Sequence, residues 1–415
     1  MNRRRVVITG LGAVTALGSS IPQYWEGLVN GRSGVRRITQ FDASQYPCQI
    51  AGEIPDFEVE KYIERKEARR MPRSAQIALA SAIQAVADAN LPDILPEPER
   101  SGVVYGTAIG GLDKADEGIQ LMREQGYGRA NPFHIPMSIP NLSGYLIARQ
   151  FQALGPNSTI VTACATGTQT IGEGAEYIRR NSADLVIAGG VESLIRDFGI
   201  GGFCAMRALP INFNDQPEKA SRPFDAKREG FILSEGAGTM ILESLEHAQA
   251  RGAFIYAEVL GHASSNDGYH IAQPDPDGAG PMRAMRWALQ DAGITPADID
   301  YINAHGTSTP INDGNETRAI KRVFDEHAYK LAISSTKSML GHAMGASGTL
   351  EAIACALTIT HGIIPPTINY ENPDPECDLD YVPNQARHQQ VRTALSNSFG
   401  LGGQNACIIL QKYNG

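Results

Sequence analysis

Short apolar runs alternate with longer periodic segments along the first half of the chain. Residues 6–9 are all β-branched, and further apolar runs at 103–105 and 185–188 also predict strands. Between the first two runs, residues 75–90 carry alanine and larger apolar residues at helical spacing, which predicts a helix. Apolar strands that alternate with helices are buried on both faces, so we expect α/β layers.

The second half of the chain repeats this pattern. Residues 301–304 predict a strand, residues 345–357 a helix rich in small side chains, and residues 406–410 a closing strand. In both halves a strand leads into a loop of small residues and then into a compact helix. We therefore expect a structural duplication, with one half at residues 1–252 and the other at residues 253–415.

The transition at residues 158–174, which read STIVTACATGTQTIGEG, carries the first candidate chemistry. The β-branched residues 159–162 predict a buried strand, and the residues after Gly167 predict a helix. Cys164 lies between them. At a helix N-terminus, unpaired N–H groups and the macrodipole favour a thiolate, which would make Cys164 a nucleophile. The alternative is a structural cysteine, because cysteine is often buried in cores.

Composition and charge narrow the class of protein. A chain of 415 residues is too long for one hydrophobic core, and the net charge of -9 argues against a nucleic-acid binder. The six cysteines are scattered without a C-x-x-C pair, which argues against a zinc site and favours a reducing cytoplasm. No apolar run reaches the roughly 18 residues of a membrane-spanning helix, so we expect no membrane span.

The N-terminus allows two other interpretations. Three arginines before an apolar run resemble a signal peptide, but glycines interrupt the run and its β-branched start favours a strand. Residues 10–15 follow that strand and suggest a dinucleotide-binding loop. Thr15 replaces the third glycine, however, and no helix–strand–acid unit follows. We expect a first β-strand and neither of these functions.

Three segments of the second half carry reactive side chains at predicted strand ends. NAHGTSTP contains His305, SSTKSMLGHAMGASG contains Lys337 and His342, and SNSFGLGGQNA surrounds Phe399. A lone histidine is usually structural. Two histidines and a cysteine, each among glycines and small residues, suit acyl transfer, because this chemistry uses a thiolate, N–H donors and imidazoles. The pattern leaves open which acyl reaction is catalysed.

With these motifs the chain resembles the β-ketoacyl-[acyl-carrier-protein] synthases of the thiolase superfamily, and among them the synthase II enzymes. The T-A-C, N-A-H-G-T-S-T-P, S-S-T-K-S-M-x-G-H and N-S-F-G-x-G-G-x-N segments stand in the family's order over nearly the whole chain. The resemblance implies a five-layered αβαβα fold built from two duplicated halves. It also implies a cytoplasmic acyltransferase of fatty acid biosynthesis that forms a homodimer, binds acyl carrier protein and needs no cofactor of its own.

The resemblance further implies a role for each reactive residue. Cys164 takes the acyl chain from the phosphopantetheine thioester, and the backbone N–H groups of Cys164 and Phe399 form the oxyanion hole. His305 and His342 assist decarboxylation of malonyl-carrier protein, and the carbanion then extends the acyl chain by two carbons. Lys337 acts through electrostatics and hydrogen bonding. We expect it to form an ion pair that orients the site.

Other positions match residues that bind substrate, carrier protein or an ion in the family. The expected contacts to pantetheine and the acyl chain are Thr307, Thr309, His270, Ile109, Gly400 and Leu401. The expected carrier-protein docking residues are Lys66, Arg69, Arg70, Arg129 and Arg207. Without a partner, the charged residues near position 66 would simply form a solvated face. Some family members place a monovalent cation close to residues that match Asn303, Glu351, Ser396 and Asn397. Glu351 is also the expected ion-pair partner of Lys337.

Two departures from synthase II affect specificity. Leu401 and Gln404 stand where Phe and Thr are common, and Ala272 stands where Thr is usual. Acyl chain length therefore stays open. A ketosynthase of a type II polyketide or specialised lipid pathway is the closest alternative. A non-catalytic subunit that sets chain length is disfavoured, as is a malonyl decarboxylase, because both typically lack the cysteine.

Overall fold

The computed structural model of the chain describes residues 3–415. Its strands are β1 Val6–Val14, β2 Arg36–Arg37, β3 Ile50–Ala51, β4 Ser101–Gly106, β5 Asn157–Ile160, β6 Leu185–Glu192, β7 Gly236–Ser244, β8 Ala257–Asn266, β9 Tyr301–Asn303, β10 Ala332–Ser334, β11 Ile363–Ile364, β12 Arg387–His388, β13 Thr393–Gly400 and β14 Gln404–Gln411. Its helices are α1 Ile21–Val29, α2 Arg65–Ala68, α3 Arg73–Asp88, α4 Leu112–Gln125, α5 His134–Ser138, α6 Leu142–Phe151, α7 Thr166–Arg179, α8 Asp197–Ala205, α9 Leu245–Ala250, α10 Ala279–Ala292, α11 Pro310–Phe324, α12 Lys337–Leu340 and α13 Ser347–His361.

Ten strands form one sheet in the order β10-β9-β13-β14-β8-β1-β7-β6-β4-β5. Each half of the chain contributes five of these strands. From the outer edge of the sheet to its centre, both halves place their own strands in the same order, which is third, second, fourth, fifth and first along the chain. The directions agree as well, because the outer three strands of each half run parallel and the inner pairings are antiparallel. The expected duplication is therefore confirmed.

Alternating side chains of each strand belong to different apolar layers. In β6, Leu185 and Ile187 pack on the side of α3, whereas Val186 and Ala188 face α7 and α13. In the second half, Leu395 of β13 packs with α10 and α11 on the opposite outer face. Both halves thus share the central helices α7 and α13 and carry their own outer helices, which gives the expected αβαβα layers.

The N-terminal strand settles two of the alternatives. β1 extends through Val14, so the glycines at 10 and 12 lie within a buried strand and not in a loop. Both glycines pack closely against α3, where a side chain would meet its backbone. A phosphate-binding loop at this position is excluded. Among residues 3–415, no helix is long and apolar enough to cross a membrane.

The strand before Cys164 differs from its prediction. β5 ends at Ile160, and its residues are exposed or half-buried, with Val161 just beyond it 50% exposed. The prediction of a buried strand is wrong because β5 is the outermost strand of the sheet and pairs only with β4. A sequence pattern reports how apolar a strand is and does not report its place in the sheet.

Candidate active site

Cys164 occupies a sharp turn between β5 and α7. The turn is a short 3-10 segment, Ala163–Ala165, and Ala163 adopts the left-handed backbone conformation with φ of 48°. The Thr166 hydroxyl accepts a hydrogen bond of 2.9 Å from the Thr162 N–H, which helps to hold the turn. Cys164 is 5% exposed and lies two residues before the first residue of the helix. Its predicted place at a helix start is confirmed.

Burial decides the protonation state of this thiol. It raises the pKa of Cys164 to about 11, against smaller lowering effects of the Leu401 N–H and the charge of Lys337. Desolvation therefore opposes the thiolate that the helix N-terminus would favour. The nucleophile must lose its proton to a neighbouring base when substrate binds.

Two histidines from the second half of the chain meet this thiol. His305 follows β9, and His342 follows α12. The Cys164 sulfur and one ring nitrogen from each histidine lie within 4.8 Å of one another. The two imidazole rings stand nearly perpendicular, with centroids 5.5 Å apart. The structure thus brings together the three residues that the motifs indicated.

Burial disfavours the charged form of both imidazoles. Burial, reinforced by the positive charge of Lys337, holds the pKa of His305 and of His342 well below the usual range. The Nδ1 atom of His342 lies 2.9 Å from the Ser347 hydroxyl. His342 Nε2 and His305 Nδ1 are buried and have no partner within the described residues. Neutral rings with a free nitrogen can accept a proton or donate a hydrogen bond to a substrate.

Lys337 forms the expected ion pair with Glu351. The ammonium group contacts Glu351 Oε1, and both side chains are 1% exposed. Burial raises the pKa of Glu351 to about 7, and the neighbouring ammonium opposes this. The pair connects α12 to α13 and keeps a positive charge beside the cysteine and both histidines.

Glu316 is a part of the site that sequence reasoning missed. Its carboxylate accepts hydrogen bonds of 2.8 Å from the backbone N–H groups of His305 and Gly306, and one of 3.1 Å from Asn397 Nδ2. It therefore fixes the backbone that carries His305. A charged residue on the buried face of α11 was the available signal, because buried carboxylates need dedicated partners.

The loop after β13 closes over the nucleophile. The Phe399 ring lies 5.6 Å from the His305 ring, centroid to centroid. A side chain at Gly400 would approach the backbone nitrogen of Cys164 to 3.0 Å, so glycine permits this close contact. The backbone around Phe399 and the Cys164 turn consequently lie side by side.

A cavity of about 530 Å³ leads from the surface to Cys164, His305 and His342. The other predicted residues that line it are Thr307, Thr309, His270, Phe399, Gly400, Leu401 and Arg207. The hydroxyls of the two threonines lie 2.9 Å apart. Ile109 does not line this open cavity. It packs instead in the apolar cluster around Cys164.

The expected docking residues are all on the surface. All five side chains are exposed: Lys66, Arg69, Arg70, Arg129 and Arg207. Arg207 adopts a left-handed backbone conformation, with φ of 55°, at the mouth of the cavity.

Three of the four residues expected near a cation offer unused oxygens. Asn303 Oδ1, Ser396 Oγ and Glu351 Oε2 are buried and have no hydrogen-bond partner among residues 3–415, and Asn303 lies opposite Ser396 in the sheet. Buried oxygens of this kind fit a monovalent cation. The Asn397 side chain is directed to the other face of the sheet, where it donates to Glu316. Only its backbone is left for the cation group.

Comparison with known proteins gives consistent matches over the whole chain. The family model "Beta-ketoacyl synthase, N-terminal domain" matches residues 3–248, and "Beta-ketoacyl synthase, C-terminal domain" matches residues 256–371. The chain is 48% identical over 413 residues to the 3-oxoacyl-[acyl-carrier-protein] synthase 2 of Synechocystis sp., covering 100% of this chain and 99% of that protein. It is 48% identical over 412 residues to the enzyme of the same name from Coxiella burnetii, covering 99% of each.

Solved structures also superpose over the full length. A β-ketoacyl synthase from Burkholderia phymatum matches with a TM-score of 0.92 and 35% identity, covering 99% of this chain and 100% of that one. A ketosynthase solved with its type II polyketide acyl carrier protein matches with a TM-score of 0.90 and 37% identity, covering 100% of both chains. The ishigamide ketosynthase/chain length factor matches with a TM-score of 0.91 and 39% identity, covering 99% and 100%.

Proposed function

The chain belongs to the β-ketoacyl synthase family, and we propose from this premise that it is the elongating β-ketoacyl-[acyl-carrier-protein] synthase of fatty acid biosynthesis. The observation that carries the proposal is the meeting of a buried thiol and two neutral imidazoles within 4.8 Å at the end of a deep cavity. Such a set suits a decarboxylative condensation, which requires a nucleophile and two hydrogen-bond donors and no net charge on the rings.

The first half-reaction loads the acyl chain. The Cys164 sulfur attacks the thioester carbonyl of acyl-carrier protein, and a neighbouring neutral imidazole accepts the thiol proton. The developing oxyanion is stabilised by the backbone N–H groups of Cys164 and Phe399. The bond to pantetheine sulfur then breaks, the leaving thiolate takes the proton, and an acyl-Cys164 thioester remains.

The second half-reaction forms the carbon–carbon bond. Malonyl-carrier protein loses CO₂, and the electrons of the broken bond pass into an enolate whose oxygen accepts hydrogen bonds from His305 and His342. The carbanion attacks the acyl carbonyl and expels the Cys164 sulfur, which regains a proton. The product is a 3-oxoacyl thioester that is two carbons longer, and loss of CO₂ makes the step effectively irreversible.

Lys337 and Glu351 support this chemistry without touching the reacting atoms. The ammonium charge keeps the imidazoles neutral and favours the sulfur anion when it leaves. A monovalent cation held by Asn303, Ser396 and Glu351 would neutralise the second carboxylate oxygen and stiffen this region. The condensation itself is proposed to need no resident cofactor, because acyl and malonyl groups arrive on phosphopantetheine.

The acyl carrier protein is the proposed partner. Relatives of this chain are named for that carrier, and one structural neighbour was solved in complex with one. The cavity of about 530 Å³ offers room beside Cys164 for the end of a prosthetic arm, with Thr307, Thr309 and His270 in its lining. The exposed arginines and Lys66 offer positive charge to an acidic partner despite the negative net charge of the chain. Six free cysteines support a reducing cytoplasmic location.

A homodimer is proposed through the free edge of β5. Within the described residues this edge has an unpaired row of backbone groups, and Val161, directly after β5, is 50% exposed; the segment at Phe133 and Ile135 is also apolar and exposed, at 60% and 73%. A second copy of the chain can pair with β5 by two-fold symmetry and cover these residues. We expect sedimentation equilibrium to give a dimer and Val161→Glu to weaken it, with Ile94→Glu, an exposed position away from β5, as control. A wild-type monomer at micromolar concentration would overturn this assignment.

The direct test of the function is product analysis. The protein is incubated with malonyl-carrier protein and saturated acyl-carrier proteins of varied length, and the products are identified by mass. We expect 3-oxoacyl-carrier protein two carbons longer than the acyl donor. Absence of such products with every chain would contradict the proposal. Products formed only from poly-β-keto substrates would instead favour a polyketide ketosynthase.

A further inference from the structure

The chain contains a second turn built like the one at Cys164. Met344–Ala346 is a short 3-10 segment before α13, and Met344 has a left-handed backbone with φ of 42°. The corresponding residue before Cys164, Ala163, has φ of 48°. Cys164 follows Ala163 in the first turn, and Gly345 follows Met344 in the second. In both turns a helix begins two residues later. Gly345 is therefore the counterpart of the nucleophile.

The strand register identifies the counterpart of Phe399. In the first half, Gly106 lies opposite Ile160 on one side and Gly190 on the other. In the second half, Asn303 lies opposite Ser334 and Ser396 in the same way. Gly190 thus corresponds to Ser396. Three residues beyond these positions stand Ser193, just past the end of β6, and Phe399, within β13.

The carboxylate of Glu192 occupies the place that faces these counterparts. Its Oε2 atom accepts a long hydrogen bond of 3.4 Å from the N–H of Gly345. The carboxylate also accepts from the Ala108 N–H at 2.8 Å and lies 3.1 Å from the Thr107 hydroxyl. Glu192 is fully buried, and burial raises the pKa of its carboxyl to about 7.

We propose that the carboxylate of Glu192 fills the space beside the Gly345 N–H that corresponds to the oxyanion hole at Cys164, and that Glu192 is a positioning residue for the reaction at Cys164. The inference rests on the proposed function, because it takes the N–H groups of Cys164 and Phe399 as the oxyanion hole. The corresponding space beside Gly345 takes a defined class of ligand, a carboxylate. In the native chain that ligand is permanent.

Glu192 can position the site because it joins two of its walls. On one side it holds Ala108, which packs with Ile109 against the apolar cluster around Cys164. On the other side it holds Gly345, in the turn that follows His342. Glu316 holds the N–H of His305 in the second half in the same manner. Without the carboxylate, both walls lose a common anchor and leave buried N–H groups unpaired.

Small carboxylates provide the test. In Glu192→Ala, we expect condensation to fall at least tenfold and formate at tens of millimolar to restore it severalfold. Formate should also raise the melting temperature of this variant and leave that of the wild type unchanged. The matched control is Glu243→Ala, a buried glutamate at the far end of β7 that contacts His247 and Arg251. Formate should not restore condensation in that variant.

Two variants of similar size keep the test decisive if Glu192→Ala does not fold. Glu192→Gln retains one acceptor oxygen for Ala108 and Gly345, so it should keep condensation within about threefold of wild type. Glu192→Leu fills the space without an acceptor and should lose at least tenfold. Equal activity of the two, or an absence of any formate response in a folded Glu192→Ala, would overturn the inference. Wild-type protein is assayed alongside: an inactive wild type contradicts the proposed function, whereas an active wild type with unaffected variants contradicts only the role of Glu192.

Discussion

The two strand–turn–helix units at Cys164 and Gly345 share a backbone and differ in what fills them. Both turns have a left-handed residue before their centre and lead into one of the paired central helices. At Cys164 the turn opens on a cavity of about 530 Å³ that also contains both histidines. At Gly345 the corresponding space is occupied by the Glu192 carboxylate. The backbone therefore supplies a pattern of N–H groups twice, and side chains decide which copy can take a substrate.

The two halves of the chain contribute different side chains to the site. The first half contributes Cys164, the proposed nucleophile, and the second half contributes His305, His342 and Lys337. Because α7 and α13 pack together at the centre of the molecule, groups from both halves reach one point. Gene duplication of a single unit would not by itself give this site. It required one copy to keep a cysteine at the turn and the other to place histidines at its strand ends.

The largest effect is expected from removing the only reactive side chain that separates the two turns. Cys164→Ala should lower condensation by on the order of 10³-fold or more, because the acyl thioester can no longer form. It should retain decarboxylation of malonyl-carrier protein, since His305 and His342 remain. Mass analysis of the protein and CO₂ release measure the two activities. Cys204→Ala, at a half-buried cysteine, is the control and should accumulate acyl-enzyme normally.

Removing one histidine should separate the contributions of the halves. In His342→Ala, condensation should fall by on the order of 10³-fold through loss of a hydrogen bond to the enolate, whereas loading of Cys164 should fall far less. Single-turnover loading and steady-state condensation are compared in the same preparation. His262→Ala, which removes a histidine paired with Glu176, serves as control. Equal loss in both half-reactions would assign His342 to acyl loading as well.

Lys337→Met tests the charge that the second half supplies to the first. Burial is the main cause of the low pKa of both histidines, and the Lys337 charge lowers it further. Without that charge the imidazoles gain protons at higher pH, so the acidic limb of the pH–rate profile should move upward. The rate at its optimum should fall by on the order of 10²-fold. Lys114→Met, at a surface pair with Glu117, should leave the profile unchanged.

Gly345→Ala tests whether the second turn has room for any side chain. A Cβ atom there would lie 2.5 Å from the Ala108 nitrogen, which forces the loop and the turn apart. We expect the free energy of unfolding to fall by about 1–3 kcal/mol, measured by urea denaturation. Gly128→Ala is the control, because no atom lies within 4 Å of its Cβ position. An unchanged stability would mean that the second turn is not packed as closely as described.

The smallest effect is expected from the exposed docking residues, because carrier protein would approach them in both half-reactions. Arg69→Ala should raise KM for acyl-carrier protein a few-fold and leave kcat unchanged, because an exposed charge steers encounter and contributes little binding energy. The difference from wild type should disappear at high salt. Arg180→Ala, an exposed arginine at the end of α7, should have no effect. A reduced kcat would place Arg69 in the site instead of on its approach.

The sequence indicated the chemistry better than the environment of that chemistry. The order of motifs was enough to identify Cys164, His305 and His342, and the strand and helix pattern indicated the duplicated α/β layers. The position of β5 at the sheet edge was not predictable, because strand order depends on contacts between distant segments. The desolvation of the Cys164 thiol was not predictable for the same reason, since its burial comes from residues far along the chain. Glu316 and Glu192 act through backbone N–H groups, which no sequence motif records.

The central claim is that Cys164 carries the acyl chain between the two half-reactions. The most direct measurement is peptide mapping by mass spectrometry after incubation of the wild-type protein with acyl-carrier protein alone. The account predicts one acyl group per chain, on the peptide that contains Cys164, and its disappearance when malonyl-carrier protein is added. An acyl group on another residue, or one that persists after malonyl-carrier protein is added, would contradict the account.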